Sequence, residues 1–436
     1  MTGVFAPALL TDKYELTMLS AALRDGTASR RTTFEVFARR LPAGRRYGVV
    51  AGTGRFLDAL ADFLFDDAAL TAVADFLDPA TLDYLAGFRF RGDIDGYAEG
   101  ELYFPDSPVL SITGTFAECV VLETLVLSIL NHDTAVASAA ARMVSAAAGR
   151  SMIEMGSRRT HEQAAVAAAR AAYIAGFSGT SNLEAGRRYG IPTLGTAAHA
   201  FTLVHTVDGA VTDAWEQAAF RAQVAALGVS TTLLVDTYDV TGGVANAIAA
   251  AGSGLGAVRI DSGDLGVLAR QVREQLDELG AVDTAIVVSG DLDEFTVAAL
   301  RNDPVDTYGV GTSVVTGSGA PTAEMVYKLV EVDGIAVQKR SSHKESHGGR
   351  KAAIRLSRAS GNIAEEVVHP VGSPPVGAEM ARDLTVPLVR AGDVLTGTDL
   401  AGARDRVAAG LLSLPSEGRE LSPGGPAIPT RQVPPR

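Results

Sequence analysis

The stretch GAVRIDSGDLGVLARQVREQLDELGAVDTAIVVSGD, residues 256–291, consists of two short apolar runs separated by a longer segment. In that segment, residues 265–280, Leu, Val and Ala recur at helical spacing, and each apolar run ends in Asp, Ser and Gly. An apolar run, a polar break and a helix in this order are typical of a βα unit on a parallel sheet.

The same pattern occurs seven times from about Ser151 onward. The runs end in the segments MIEMGSRR, GFSGTSN, IPTLGTAAH, TTLLVDTYD, AVRIDSGD, AIVVSGDLD and VDTYGVGT. Seven consecutive units favour a barrel over an open sheet, although an eighth is not apparent. Each run carries its polar residues at the C-terminal end, where barrel enzymes build their active sites.

The sequence therefore predicts an α/β fold with an irregular (β/α) barrel and a second, sandwich-like α/β domain. The first ~110 residues alternate apolar and polar side chains with period two, which is typical of an antiparallel or mixed sheet. The predicted organisation is a sandwich-like domain over 1–115, a helical connection over 116–150, the barrel with its active-site rim over 151–325, a return to the N-terminal domain over 326–412 and a loose Pro- and Gly-rich tail over 413–436.

Composition excludes several classes of function. The net charge of −13 and the pI near 5.1 argue against a nucleic-acid or anionic-membrane surface, so an anionic ligand needs a local cluster of Arg and Lys. The single cysteine, Cys119, excludes an intramolecular disulfide and fits a reducing compartment. We find neither a signal peptide nor a stretch apolar enough for a membrane helix, and therefore expect a cytoplasmic protein.

Three consecutive runs end in pairs of acidic residues: Asp236 and Asp239, Asp261 and Asp264, Asp291 and Asp293. Carboxylates at one rim suit a ribose diol or a Mg²⁺ ion that is shared with substrate phosphates. Alternatively, Asp, Ser and Gly are ordinary turn and N-cap residues. The repetition over three strands favours the functional interpretation.

Glycine-rich strand ends and scarce cations point to an anionic substrate. The segments SGD at 289–291 and GVGTSVVTGSG at 309–319 are possible phosphate cradles, because glycine lets backbone N–H groups approach an anion. Arg259 lies within an otherwise apolar run, where a guanidinium needs a partner or an anionic ligand. No Ser-His-Asp or Cys-His set can be assembled, and His199, close to the end of the third run, is open to a structural or a functional role.

Seven segments of the chain, taken in order and spacing, resemble the nicotinate phosphoribosyltransferase family of type II phosphoribosyltransferases. These segments are LLTDKYELTM, EMGSRRTHEQA, FSGTSN, GIPTLGTAAHAF, VRIDSGDL, VSGDLDE and YGVGTSVVT. The resemblance runs from about Leu9 to Lys351. It implies formation of nicotinate mononucleotide and pyrophosphate from nicotinate and phosphoribosyl pyrophosphate, coupled to ATP hydrolysis, in NAD salvage. It also implies Mg²⁺ as cofactor, a ligase classification and a homodimer with a shared active site.

For the pyridine ring, the resemblance implies that Tyr14 of the partner subunit stacks on it and that Arg259 holds the nicotinate carboxylate. Arg158, Ser181 and Thr196 would line the same pocket. Nicotinamide-using relatives have an acidic residue in place of Ser181 or its neighbour, and its absence favours a carboxylate substrate.

For the ribose, the phosphates and ATP, the resemblance implies three groups of residues. Asp261, Asp291, Gly290, Gly311 and Thr312 would take the ribose and its phosphates, the loop residues Lys339, Arg340, Lys344 and Arg350 would cover the pyrophosphate, and His199 would be phosphorylated by ATP. Relatives often have Phe at the position of Met155, so the second face of the ring stack is left open.

Three alternatives remain at this point. The scaffold could use nicotinamide or quinolinate, it could belong to a non-catalytic ligand-binding homologue, or the barrel could be an unrelated phosphate-binding enzyme such as an aldolase. The last would need a Schiff-base lysine at a strand end, and none of the seven runs contains a lysine.

Overall fold

The computed structural model of the protein describes residues 6–207, 213–339, 347–373, 381–395 and 399–434. The chain divides into two compact units. Unit 1 consists of Met1–Ser138 and Ala320–Arg436, and unit 2 of Ala139–Gly319. Among the described residues, no helix combines the length and the apolar character needed to cross a membrane.

The described N-terminal part of the chain forms short strands and six α-helices. The strands are β1 Arg31–Ala38, β2 Gly48–Val49, β3 Asp93–Tyr97, β4 Leu102–Tyr103 and β5 Leu110–Thr115, and the helices are α1 Lys13–Asp25, α2 Thr53–Ala61, α3 Asp67–Val73, α4 Pro79–Ala86, α5 Phe116–Val120 and α6 Glu123–Ala147. The boundary between the units falls within the long apolar helix α6.

Unit 2 contains the parallel strands and their helices. The strands are β6 Ser151–Glu154, β7 Gly179–Thr180, β8 Thr232–Leu234, β9 Ala257–Ile260, β10 Ala285–Val288 and β11 Thr307–Val310, and the helices are α7 Glu162–Ile174, α8 Leu183–Tyr189, α9 His199–Leu203, α10 Asp213–Leu227, α11 Val240–Ala251, α12 Leu265–Glu278, α13 Glu294–Ala299 and α14 Thr312–Val315.

The C-terminal part returns to unit 1. Its elements are β12 Met325–Val332, β13 Ile335–Ala336, β14 Lys351–Ser357, β15 Ile363–Pro370, β16 Arg382–Asp383, β17 Thr385–Arg390, β18 Asp393–Val394, α15 Leu400–Ser413 and β19 Thr430–Gln432.

In unit 1 both ends of the chain share one sheet, with the strand order β13–β12–β1–β5–β3–β17–β18. On the buried face Phe34 stacks on Tyr327 with ring centroids 4.6 Å apart, and Ile112 lies opposite Phe34 on β5. The period-two pattern of the sequence therefore becomes an apolar face that packs against helices. A smaller sheet has the order β16–β14–β15–β19, and β2 pairs with β4.

The C-terminal tail is more ordered than its composition predicts. The sequence predicts a loose segment over 413–436, but Thr430–Gln432 forms β19 and pairs in parallel with β15. Backbone pairing with an existing sheet supplies the hydrogen bonds that Pro- and Gly-rich chain cannot make by itself, so for these residues the prediction is wrong.

In the described part of unit 2 the six strands are all parallel, in the order β7–β6–β11–β10–β9–β8. A parallel bridge from Thr180 to Thr193 adds the third predicted run beside β7. All seven runs therefore occupy positions in one parallel sheet, and the predicted α/β architecture is confirmed. Within the described residues no ladder joins Thr193 to β8, so the sheet is a barrel that stays open at this seam.

Candidate active site

The open seam of the barrel is bridged by side chains. His199 is the first residue of α9, on the Thr193 side of the seam, and its Nδ1 lies 3.1 Å from Oγ1 of Thr237, just after β8. Nε2 of the same ring lies 3.9 Å from Oδ1 of Asp236. The His199 side chain keeps 40% of its surface exposed, so it is reachable by a ligand while two neighbours orient it.

Asp236 is held rigidly beneath this histidine. Its Oδ2 accepts hydrogen bonds from the Asp261 backbone N–H at 2.9 Å and from the Ser262 hydroxyl at 2.7 Å. Its Oδ1 is buried and makes no hydrogen bond among the described residues. A buried carboxylate oxygen without a hydrogen-bond donor is energetically unfavourable. Because Oδ1 of Asp236 faces the imidazole of His199, a cation or an N–H group at that point would stabilise it.

Arg259 of β9 is oriented by three hydrogen bonds. Its Nε donates to Ser289 at 2.8 Å, one terminal nitrogen donates to Thr196 at 3.0 Å, and the other donates to Asp261 at 2.8 Å. A guanidinium has five N–H donors, so two remain for a planar anion. The fork is thus fixed in position before a ligand arrives.

Asp261 is kept ionised within this group. Burial opposes its ionisation, but the hydrogen bonds from Ser289 and Arg259 prevail and lower its pKa below the ordinary value. A carboxylate therefore lies next to a guanidinium with spare donors, an arrangement that can bind both a hydroxyl and an anion.

The turn after β10 brings the backbone of two strands into close approach. Gly290 has φ +103°, and a Cβ there would lie 2.3 Å from the carbonyl oxygen of Asp261. The next residue, Asp291, also has positive φ, at +47°. Only glycine fits at 290, and the tight turn presents the end of β10 at the rim.

The acidic pairs of the sequence divide between the two interpretations. The second member of each pair accepts hydrogen bonds from backbone N–H groups and caps a helix. These residues are Asp239, Asp264 and Asp293. Of the three first members, Asp236 and Asp261 face the rim cluster, and Asp291 lies in the turn after β10 with positive φ.

The first strand of the barrel carries a polar residue whose role the sequence interpretation missed. Glu154, the last residue of β6, is fully buried and accepts from the Gly156 backbone and from the Thr180 hydroxyl of β7. Asn182 donates through its backbone to Thr180 and through its side chain to Ser157. The only signal for this clamp between the β6 and β7 loops is one carboxylate within the otherwise apolar run SMIEM.

Met155 lies against Gly309 of the neighbouring strand β11. A Cβ atom added at Gly309 would lie 2.7 Å from the sulfur of Met155 and 3.2 Å from Cβ of Ser289. Its thioether therefore lies across Gly309, next to the residue that holds Arg259. Arg158 and Ser181 follow β6 and β7 and are exposed, and Gly311 and Thr312 follow β11, where Thr312 begins α14.

The remaining predicted residues that the structure describes belong to unit 1. Tyr14 lies in the first turn of α1 and is 45% exposed. Arg350 forms an ion pair with Asp95 at 2.5 Å, and Lys339 is described as well. Arg340 and Lys344 lie outside the described residues. The structure thus brings together Thr196, His199, Arg259 and Asp261 in unit 2.

Among the described residues, no group of three His, Cys, Asp or Glu side chains is arranged to hold a metal ion. A divalent cation at this rim would therefore need ligands from a phosphate-bearing substrate, which is the usual mode for Mg²⁺.

The open parallel barrel, with an oriented arginine and carboxylates at its carboxyl rim, has the architecture of an α/β-barrel enzyme that binds an anionic substrate. Residues 9–131 match the nicotinate phosphoribosyltransferase (NAPRTase) N-terminal domain, and residues 151–362 match the nicotinate phosphoribosyltransferase (NAPRTase) family. The chain belongs to the nicotinate phosphoribosyltransferase family.

Similar proteins agree with this assignment. The chain is 74% identical to nicotinate phosphoribosyltransferase pncB1 of Mycobacterium tuberculosis, over 98% of this chain and 95% of that protein. It is 37% identical to nicotinate phosphoribosyltransferase of Bacillus subtilis, over 82% of this chain and 75% of that protein. The crystal structure of human nicotinic acid phosphoribosyltransferase matches with a TM-score of 0.82, at 26% identity and over 97% of each chain.

Proposed function

We propose that this protein transfers the phosphoribosyl group of phosphoribosyl pyrophosphate to nicotinate in the cytoplasm, as the entry step of NAD salvage. The products are nicotinate mononucleotide and pyrophosphate. The observation that carries the proposal is Arg259, whose guanidinium is oriented by Thr196, Ser289 and Asp261 and keeps two N–H donors for the nicotinate carboxylate.

The chemistry follows from the charges at the rim. Departure of pyrophosphate leaves positive charge on the ribose ring, and the ionised Asp261 stabilises that charge while the fixed Arg259 holds the attacking pyridine. The ring nitrogen of nicotinate is unprotonated near neutral pH, so no strong general base is needed. Mg²⁺, bound mainly through the substrate phosphates, would supply positive charge to the leaving pyrophosphate.

We assign ATP coupling to His199, through a phosphohistidine. Asp236 lies beside Nε2 and favours a proton on that nitrogen, which leaves the lone pair on Nδ1, next to Thr237. An imidazole oriented in this way by a carboxylate is a better nucleophile toward a phosphoryl group. The energy of ATP can thus be coupled to synthesis by a residue that does not itself break the glycosidic bond.

A second copy of the chain would complete the site. Leu10, Tyr14 and Met18 are spaced four residues apart along α1 and its N-terminal flank, and all three are more than a third exposed. Such an apolar strip on one helix face favours burial against a partner, and Tyr14 of the partner subunit would supply the stacking ring.

The direct test is an assay of the purified protein with nicotinate, phosphoribosyl pyrophosphate, Mg²⁺ and ATP. We expect nicotinate mononucleotide, and faster formation with ATP than without it. Parallel reactions contain nicotinamide or quinolinate as competitors of nicotinate. A clear preference for either competitor would identify that compound, and not nicotinate, as the substrate. Binding of nicotinate without any product would instead identify a non-catalytic homologue.

The shared site has its own test. Two inactive variant chains, one altered in unit 1 and the other in unit 2, can complement each other within a dimer. Tyr14→Ala and Arg259→Ala are each expected to be poorly active, but a mixture of refolded chains contains hybrid dimers with one intact site. Recovery of about a quarter of the wild-type activity supports the shared site, and no recovery contradicts it.

A further inference from the structure

Glu154, the last residue of β6, joins two loops of the barrel rim. These are the β6 loop, residues 155–161, and the β7 loop, residues 181–182. One carboxylate oxygen of Glu154 accepts from the Gly156 backbone N–H, and the other accepts from the Thr180 hydroxyl at 2.5 Å. Its backbone carbonyl accepts from the Ser181 N–H at 2.8 Å. One completely buried residue therefore holds the start of both loops.

The hydrogen bonds around Glu154 continue from one loop into the other. The Thr180 hydroxyl accepts from the Asn182 backbone N–H at 2.9 Å, so its single proton is directed to Glu154. The side-chain amide of Asn182 donates in turn to the Ser157 hydroxyl at 3.0 Å. The β7 loop is thus bonded both to the carboxylate and to the β6 loop, and such a network restrains its members more firmly than separate bonds do.

The β6 loop is also closely packed on its opposite side, toward β11. A Cβ atom added at Gly156 would lie 2.2 Å from Cγ1 of Val315 on α14 and 2.9 Å from the carbonyl oxygen of Gly311. The loop therefore has no room to move toward β11. Its remaining freedom lies toward β7, which is the side that Glu154 and Thr180 close.

We propose that Glu154 is a positioning residue, which holds the β6 and β7 loops against each other and so sets the width of the nicotinate pocket between Arg158 and Ser181. The inference rests on the proposed function of the protein. Both residues are exposed, and each directly follows a residue of the network, Ser157 and Thr180 respectively. Because Glu154 is itself completely buried, it acts through the two loops and not by touching the substrate.

The kinetic test uses Thr180→Val, which removes the hydroxyl between Glu154 and Asn182 at nearly constant volume. We expect KM for nicotinate to rise roughly three- to ten-fold, because the pocket walls must be ordered when the substrate binds. The turnover number kcat should stay within about twofold of the wild type, since Arg259 and Asp261 belong to β9 and its end. Thr180→Ser keeps the hydroxyl and should restore KM to about the wild-type value.

Glu154→Gln tests the carboxylate itself. Its amide keeps one acceptor oxygen where the carboxylate has two, so it cannot accept from both Gly156 and Thr180. KM for nicotinate should rise about as much as in Thr180→Val. The double variant should be less than additive, because both changes break the same network. Strictly additive effects would overturn the proposal.

Thr284→Val is the matched control. The Thr284 side chain is also buried, and its hydroxyl donates to the Leu255 carbonyl at 2.8 Å, but it precedes β10 and lies at the opposite end of the strands from the rim. Thr284→Val and Thr180→Val should both lower the midpoint of thermal unfolding. Only Thr180→Val should raise KM for nicotinate, and an equal rise in both would reduce Glu154 to a structural residue and overturn the proposal.

Hydrogen exchange followed by mass spectrometry tests the network without turnover. In Thr180→Val the backbone amides of residues 155–160 and 181–183 should exchange about five-fold faster or more than in the wild type, with no such change in Thr284→Val. Unchanged exchange in Thr180→Val would overturn the inference whatever the substrate. An active wild type whose KM for nicotinate is unaltered by Thr180→Val would overturn the inference alone. A wild type without turnover of nicotinate would overturn the proposed function, and the inference with it.

Discussion

At the scale of single residues, Arg259 is the most constrained cation of the rim. Arg259→Lys keeps the charge but loses the planar fork, so it cannot hold Thr196, Ser289, Asp261 and a substrate carboxylate together. We expect KM for nicotinate to rise by roughly ten- to a hundred-fold, equivalent to about 1.4–2.7 kcal/mol. Steady-state kinetics measure this, with Arg221→Lys on the exposed surface of α10 as the control. A KM unchanged in Arg259→Lys would contradict the assignment.

Asp236 gives a second prediction at this scale. Asp236→Asn keeps an oxygen for the Asp261 backbone and Ser262 but removes the charge beside His199. Incorporation of acid-labile phosphate from ATP should fall at least about ten-fold, while the slow ATP-independent reaction persists. Ser262→Ala keeps the charge and should retain labelling. His199→Ala should lose labelling and ATP stimulation together, and a full response to ATP in that variant would exclude the phosphohistidine.

At the scale of elements, the turn after β10 can be tested by comparing two glycines. Gly290 and Gly280 both have positive φ, but a Cβ at 280 has no atom within 4 Å, whereas one at 290 would collide with the Asp261 carbonyl. Gly280→Ala should therefore cost only about 1 kcal/mol of unfolding free energy. Gly290→Ala should cost more, and it should also raise KM for phosphoribosyl pyrophosphate, because it displaces the ends of β9 and β10. Equal effects of the two substitutions on stability and KM would contradict the close approach.

The strands of the barrel can be predicted well from the sequence, but the position of the seam where the barrel stays open cannot. The seven apolar runs are local patterns, and the polar residues at their ends, including Arg259 and His199, are visible without any long-range information. The position of the seam is not, because it depends on contacts such as the one between His199 and Thr237, which are 38 residues apart. Likewise, nothing local distinguishes Asp261, which faces the rim, from Asp264, which caps α12. The strand β19 was missed because its hydrogen bonds come from β15, not from its own composition.

At the scale of the whole molecule, buried glutamates make the stability of unit 1 depend on pH. Glu15 is fully buried, and burial raises its pKa to about 7, although the hydrogen bonds from Thr124 oppose the shift and Glu123 reinforces it. Burial likewise raises the pKa of Glu35 to about 7, against the effect of Lys351. In the unfolded chain a glutamate titrates near 4.5, so between about pH 4.5 and 7 the folded state binds more protons than the unfolded state does.

The sign of the effect follows from this difference in bound protons. A raised pKa contributes stability that is fully present below about pH 4.5 and is lost as the pH rises through about 7. Glu15→Gln removes one titrating group while keeping an oxygen for Thr124, so its unfolding free energy should fall less steeply over this range than that of the wild type. Denaturant unfolding at several pH values between about 5 and 8 measures the two slopes. Glu324→Gln, at an exposed glutamate, should keep the wild-type slope. Parallel slopes for wild type and Glu15→Gln would mean that Glu15 titrates alike in the folded and unfolded chain. In that case the anchor of α1 at Thr124 would be a plain hydrogen bond with no dependence on pH in this range.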